Sequence, residues 1–315
     1  MDLRDIGKVT VLGTGMMGPG IALLFARKGY DTVLWGRNPD KLDLARSHFD
    51  RNLLDLEKER LISTAEAEQA KNSIRVTGDL EQAVSQSQFI CEAVIENLEV
   101  KQQLFSRIEA CCARDTLLAS NTSTLLPSAI SARLKHRERL LVTHFWNPAH
   151  LVPLVEVCGA PQTSTANLSL TMELLERIGK APVLMKKEIL GFIGNRLMHA
   201  LNREAISLVQ DGVVEPEDVD RVVLASFGPR FANIGPLEYL DFVGLDLVHA
   251  IQGYLYGDLD RTAGPLPLLS DLVKGGRLGV KSGGGFFDWS GRDPQDVRAR
   301  RDQEFLRRMK ADDDE

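Results

Sequence analysis

Cysteine is scarce: four in 315 residues, at Cys91, Cys111, Cys112 and Cys158. No spacing among them resembles a disulfide framework or a metal site, which excludes a small stapled scaffold and leaves a metal-free chain as the expectation. A basic excess is also missing. With 38 Lys and Arg against 44 Asp and Glu, the net charge of −6 gives no overall reason to expect a nucleic-acid partner. Nor does any apolar run approach the roughly 18 to 20 residues that a membrane span requires. The opening MDLRDIGKVTVLG carries an acidic residue at once and moves straight into a strand, without signal-peptide or transit character. Together these absences point to a cytoplasmic chain with no membrane association. Its length suggests two domains with real cores.

The stretch KVTVLGTGMMGPGIALLFARKG, from Lys8 to Gly29, holds a strand that runs into Gly13, Gly15 and Gly18, followed by a helical series from Met16 to Arg27. A lone GxGxxG is weak evidence, because glycines also mark ordinary turns. Between a strand and a helix it is strong: the first glycine permits the tight turn, the second admits a pyrophosphate, and the third lets the helix pack close. Gly13, Gly15, Met16, Met17 and Gly18 are thus the expected phosphate-binding turn, facing a helix N-terminus.

A second strand, Thr32 to Trp35, ends in Gly36, Arg37, Asn38 and Pro39, with no carboxylate where an NAD-selective site usually has one for the ribose 2′-hydroxyl. NAD and NADP both stay open, and Arg37, which can pair with a 2′-phosphate, tilts the choice toward NADP. The other reading of Arg37 is a solvated loop residue. Asn38 with Pro39 starts a helix that extends to about Glu59, and a second helix follows from Ser63 or Thr64 to Lys71. This helical pair, about 39–72, is longer than a crossover needs: either an arm over a substrate or a solvated face. Further strands at Ile74 to Val76, Phe89 to Ala93 and Thr116 to Ala119 alternate with helices. That alternation predicts an α/β, Rossmann-type doubly wound, mostly parallel sheet.

In THFWNPAHLVPLVEV, Thr143 to Val157, His144 ends one strand and Glu156 sits inside the next apolar run. A carboxylate in an apolar strand needs a partner, and an imidazole held by a carboxylate is an oriented base. The stretch alone equally fits a strand-capping histidine and a rim glutamate. The polar SNTST segment, Ser120 to Thr124, follows a strand end, where ligands of such sheets sit, though it also suits a helix cap. Glu96 and Lys101 divide in the same way between cofactor contacts and helix-start charges. After about Glu188 the chain turns helical. Asn195 opens a long amphipathic helix, either as an amide donor to a substrate oxygen or as a cap. The helices after it cannot easily bury every apolar face, which predicts a homodimer.

GTGMMGPGIA, EAVIENLEVKQQLF, SNTST, HFWNPAHLVPLVEV, GFIGNRL and GRLGVKSGGGFFDW occur in the order and spacing of the L-3-hydroxyacyl-CoA dehydrogenase family, which the chain resembles from Val9 to Trp289. The resemblance implies a dinucleotide-binding domain over 1–187 and an all-α dimerisation domain over 188–292; a charged helical tail over 293–315 extends past the family's usual end. It implies His144 as general base, Glu156 as its partner, and Ser123 and Asn195 as donors to the substrate oxygen. Glu96, Lys101, Ser123, Asn147 and Lys281 would lie at the cofactor. The implied activity is hydride transfer between a 3-hydroxyacyl-CoA, short chains favoured, and NAD(P).

Three departures qualify the substrate. GRNP at the second strand looks more like glycerol-3-phosphate dehydrogenases, some of which accept NADP. Trp146, His150 and Pro153 differ from the HFFNP form and resemble relatives acting on small free hydroxy acids or alcohols, such as gulonate, carnitine and a vitamin B6 breakdown product. The arm keeps only Lys58 and Arg60 as partners for CoA phosphates. A non-catalytic reading, prompted by a lens crystallin that resembles the family, would need the base, its carboxylate or the oxygen-binding residues to be lost, and all are present. The tail beyond Arg298 is expected to be a mobile charged helix.

Overall fold

The structure, a computed structural model, describes residues 1–314. Strand β1 (Lys8–Leu12) leads through the glycine turn into helix α1 (Gly18–Ala26), and β2 (Asp31–Trp35) follows. Gly13 has a φ of +135°, and a side chain there would collide with the Ala93 carbonyl, so the turn requires glycine. Helix α1 is buried along its whole length, an apolar rod between sheet and outer helices.

Helices α2 (Leu42–Lys58) and α3 (Thr64–Asn72) come next. Asn38 caps the short turn of 3-10 helix before α2, and Ser63 with Glu66 forms a capping box at α3. Ala45, Phe49, Leu53 and Leu56 of α2 are buried in the same core cluster as α1. One face of the helical pair is thus packed on its own domain.

The sheet continues through β3 (Ile74–Thr77), α4 (Leu80–Val84), β4 (Phe89–Glu92), α5 (Leu98–Cys111), β5 (Leu117–Ser120), α6 (Pro127–Ile130), β6 (Leu140–Phe145), β7 (Leu154–Gly159), α7 (Thr165–Arg177) and β8 (Ala181–Met185). Its order is β3-β2-β1-β4-β5-β6-β7-β8. All neighbours are parallel except β6 and β7, which run antiparallel. The doubly wound, mostly parallel sheet is thus present, with its topological switch between β1 and β4, where such sheets bind ligands.

The remaining helices are α8 (Gly194–Gln210), α9 (Pro216–Ala225), α10 (Phe227–Phe231), α11 (Pro236–Val243), α12 (Leu245–Leu255), α13 (Pro267–Lys274) and α14 (Pro294–Asp314). The chain divides into a unit of residues 1–193 together with the segment from Ala299 on, and an all-α unit of Gly194–Arg298. Two boundaries depart from expectation. Residues 188–193 stay with the sheet, because Glu188 accepts the Ser128 N–H at 3.0 Å and Ile193 N–H reaches Glu156 at 2.7 Å. The tail is also not a free helix: Phe305, Leu306 and Met309 pack against the main core cluster, and Lys310 pairs with Glu59 at 2.6 Å.

Candidate active site

Antiparallel pairing of β6 with β7 sets His144 directly opposite Glu156, so both side chains leave the same face of the sheet. His144 Nδ1 and Glu156 Oε2 are 2.8 Å apart, and both side chains are almost fully buried. Because an ionised carboxylate only accepts, Nδ1 carries the hydrogen and donates it. The lone pair is thereby placed on Nε2. The rings of Trp146 and Phe192 pack beside the imidazole, each with its centroid 5.4 Å away. The pairing is close enough, and the ring sufficiently confined, to make an oriented proton acceptor.

In the sequence, Trp146 is visible only as a departure from the HFFNP form. Its indole Nε1–H donates to the same Glu156 Oε2 at 3.2 Å, a contact that depends on strand register and is invisible in sequence. The neighbouring Cys158 thiol is pushed up to about 12 by burial, with Glu188 and Glu156 adding to it, and Cys91 is pushed to about 12 by burial; neither is a nucleophile.

Beside the dyad, the SNTST loop is organised by a carboxylate from another element. Oε1 of Glu96 accepts from Thr122 Oγ1, from Ser123 N at 3.0 Å, and from Thr124 N and Oγ1, each at 3.1 Å. Burial would push Glu96 up, but the hydroxyls of Thr122 and Thr124 and the Lys101 ammonium outweigh it and hold the carboxyl below the usual range. Ser123 itself is exposed at the tip of this loop. Asn121, the amide of the SNTST segment, accepts Phe145 N–H at 2.8 Å and ties the loop to the His144 strand.

Lys101 is wholly buried. Its ammonium lies 2.6 Å from Glu92 Oε1 and 3.4 Å from Glu96 Oε2, while Ser120 Oγ donates to Glu92 Oε2 at 2.6 Å. It thus anchors Glu96 from behind, with the face of α5 formed by Val100, Gln103, Leu104 and Arg107 turned to an open groove. Gly13, Gly15, Met16, Met17, Arg37, Asn38 and Lys41 line the opposite side of that groove. A Cβ at Gly15 would meet nothing within 4 Å, which leaves the space a pyrophosphate needs. Gly36 admits no side chain, because one would collide with Thr14, so Arg37 is the first residue after β2 able to reach a ribose. Asn147, exposed after Trp146, is joined to Pro148 by a cis bond. Asn195, on the first turn of α8, and Lys281, on an exposed loop, belong to the all-α unit.

A dinucleotide groove, a buried His–carboxylate pair and a hydroxyl-rich loop on one sheet match what comparison with known proteins finds. The family model described as 3-hydroxyacyl-CoA dehydrogenase, NAD binding domain, covers residues 8–189, and the model of that enzyme's C-terminal domain covers 191–289. The chain belongs to the 3-hydroxyacyl-CoA dehydrogenase family. Membership makes it an oxidoreductase acting on a CH–OH group with a nicotinamide dinucleotide, NAD in the family's description.

Among family relatives, the 5-formyl-3-hydroxy-2-methylpyridine 4-carboxylate 5-dehydrogenase of Mesorhizobium japonicum is 31% identical over 303 residues, 96% of each chain. A probable 3-hydroxybutyryl-CoA dehydrogenase of Bacillus subtilis is 34% identical over 287 residues, 90% of this chain and 98% of that one. A solved structure of a 5-formyl-3-hydroxy-2-methylpyridine 4-carboxylic acid 5-dehydrogenase, titled an NAD+-dependent dismutase, superposes with a TM-score of 0.88 at 32% identity over 96% of both chains. No helix among the described residues is long and apolar enough to cross a membrane.

Proposed function

We propose that the chain interconverts a short-chain 3-hydroxyacyl-CoA and its 3-ketoacyl-CoA, with His144 as the general base. The observation that carries this is the 2.8 Å pair of His144 Nδ1 with buried Glu156. In the oxidation direction, Nε2 takes the hydroxyl proton while Glu156 offsets the positive charge that grows on the ring. Ser123, on the loop fixed by Glu96, and Asn195 donate to the substrate oxygen. Gly13, Gly15, Met16, Met17, Gly18 and Arg37 hold the dinucleotide, with Asn147 and Lys281 at its nicotinamide end. Glu96 and Lys101 belong to the same region, Lys101 acting through Glu96. The dinucleotide, when bound, supplies the hydride acceptor.

Arg37, Lys41 and Arg107 line the nucleotide groove, and no carboxylate does so among the described residues. This supports acceptance of NADP(H) beside the family's NAD(H), because a 2′-phosphate would meet cations rather than an acid. The four free cysteines suit a reducing, cytoplasmic setting. The helices of the all-α unit support a homodimer.

A small free hydroxy acid or alcohol is the second reading. It is supported by the match to the pyridine-carboxylate enzyme, which runs over 303 residues against 287 for the Bacillus protein. One experiment separates the readings: oxidation of NADH and NADPH with acetoacetyl-CoA and with free acetoacetate, in wild type and His144→Gln. Turnover of the thioester, lowered about 10²- to 10⁴-fold in the variant with cofactor binding intact, is the expected result. Turnover of neither, with tight cofactor binding, transfers the assignment to small polar hydroxy acids.

A further inference from the structure

Glu156 is asked to do more than one thing at one oxygen. Oε2 accepts from His144 Nδ1 at 2.8 Å and from Trp146 Nε1 at 3.2 Å, and Oε1 accepts from Ile193 N at 2.7 Å. A hydrogen bond to a carboxylate disperses its charge, and a second donor on the oxygen that faces the imidazole weakens that oxygen's hold on the first. Trp146 sits one residue beyond the end of β6, with its ring tilted 50° against that of His144, so the indole is held at the base by packing as well as by its N–H.

We propose that Trp146 is a positioning residue for the proton transfer: by sharing Oε2 it restrains how strongly Glu156 favours the protonated imidazole, and it fixes the carboxylate in the plane His144 needs. The proposal rests on His144 being the base. In oxidation the hydroxyl proton passes to Nε2 as hydride leaves the carbinol carbon for the nicotinamide; in reduction Nε2 returns that proton to the new alkoxide oxygen. A restrained Glu156 makes His144 a readier acid for reduction and a less avid base for oxidation. Within the sheet-bearing unit, His144 pairs with Glu156 from β7. Glu188 is felt nearby at Cys158, the Cys158 thiol is neutral, and the Phe192 ring beside His144 brings no charge.

The test is Trp146→Phe, which keeps an aromatic ring and removes the donor, with kcat/KM followed against pH in both directions. The acid limb of oxidation and the alkaline limb of reduction should both move to higher pH, by about half to one unit for loss of one such hydrogen bond. A uniform fall in rate with unmoved limbs, or a move to lower pH, overturns the proposal. Total loss of activity in His144→Gln without the two-limb behaviour in wild type would instead bear on the base assignment. Should Trp146→Phe not fold, the wild-type indole ¹⁵N–H signals decide, with Trp146 assigned by removing Trp35 and Trp289. Its signal should shift through the same pH range as the rate profile and stay flat in His144→Gln. A Trp146 signal indifferent to pH in the wild type overturns the sharing of Oε2.

Discussion

His150 shows how a single residue can couple the site to acidity without entering the chemistry. Its Nδ1 is buried with no hydrogen-bond partner, against Gly20 on the first turn of α1. Burial, followed by the positive charges of Lys180, Arg27 and Arg301, pushes it down to about 4. Lys180, pushed down to about 7 by burial and by Arg27, donates to the carbonyls of Ala149 at 2.7 Å and Val152 at 2.8 Å. The loop that carries Trp146 and Asn147 is thus pinned by a lysine and closed over by an imidazole that must stay neutral. Because the folded value of about 4 lies below the ordinary 6.5, the unfolded chain takes up this proton first as acid is added. Stability from this group is therefore unaffected above 6.5, falls as pH drops from 6.5 to 4, and has lost its full amount, about 3 kcal/mol at most, below 4. His150→Leu should flatten that part of the curve: urea midpoints measured at pH 7 and pH 4.5 should differ less in the variant than in wild type. An equal difference in both would place the acid sensitivity in the carboxylates, such as Glu96 and Glu109, whose values are held low.

At the scale of elements, what could be read from the sequence was what is local. The strand–glycine turn–helix, the Asn38 and Ser63 caps and the alternation of strands with helices are all encoded within a few residues, and each forms where expected. The His144–Glu156 pair was legible as a possibility because two polar residues stood in apolar strands; the antiparallel register that joins them was not, since nothing local sets the direction of β7. The tail was least legible. In α14, Phe305, Leu306 and Met309 are three apolar residues among many charges, and the core cluster they pack against is built from residues more than a hundred positions earlier. Their burial carries the docking, because the exposed Lys310–Glu59 pair adds only about 0 to 1 kcal/mol. Removing the chain after Asp293 should cost about 2 to 4 kcal/mol from these part-buried side chains. The first thermal transition should fall by on the order of 5 °C or more, with kcat on the preferred substrate retained. An unchanged transition would mean that the helix does not stay docked in solution.

The molecule as a whole is unequally provided with cores. The sheet-bearing unit buries its apolar residues on both faces of the sheet, whereas α9, α10, α11 and α12 contain no buried residue at all. Phe242 is 81% exposed, Leu237 76% and Tyr254 92%, and Leu224, Leu245 and Ile251 stand open with them. Monomeric proteins rarely leave contiguous apolar surface of more than a few hundred Å² to water, so these helices need a cover. A second copy is the occupant we propose, since paired identical faces form a closed, self-complementary contact and leave no apolar surface for further growth. Light scattering behind size exclusion should give twice the chain mass at micromolar concentration. Phe242→Asp with Leu237→Asp should shift it to the monomer, because two carboxylates on each side would be desolvated without partners. The same variant should lose thermal stability chiefly in the helical unit while the groove lined by Gly13, Gly15 and Arg37 of the other unit still binds the dinucleotide. A wild-type chain that stays monomeric at tens of micromolar would overturn the dimer, and it would then demand another protein to cover the same helices.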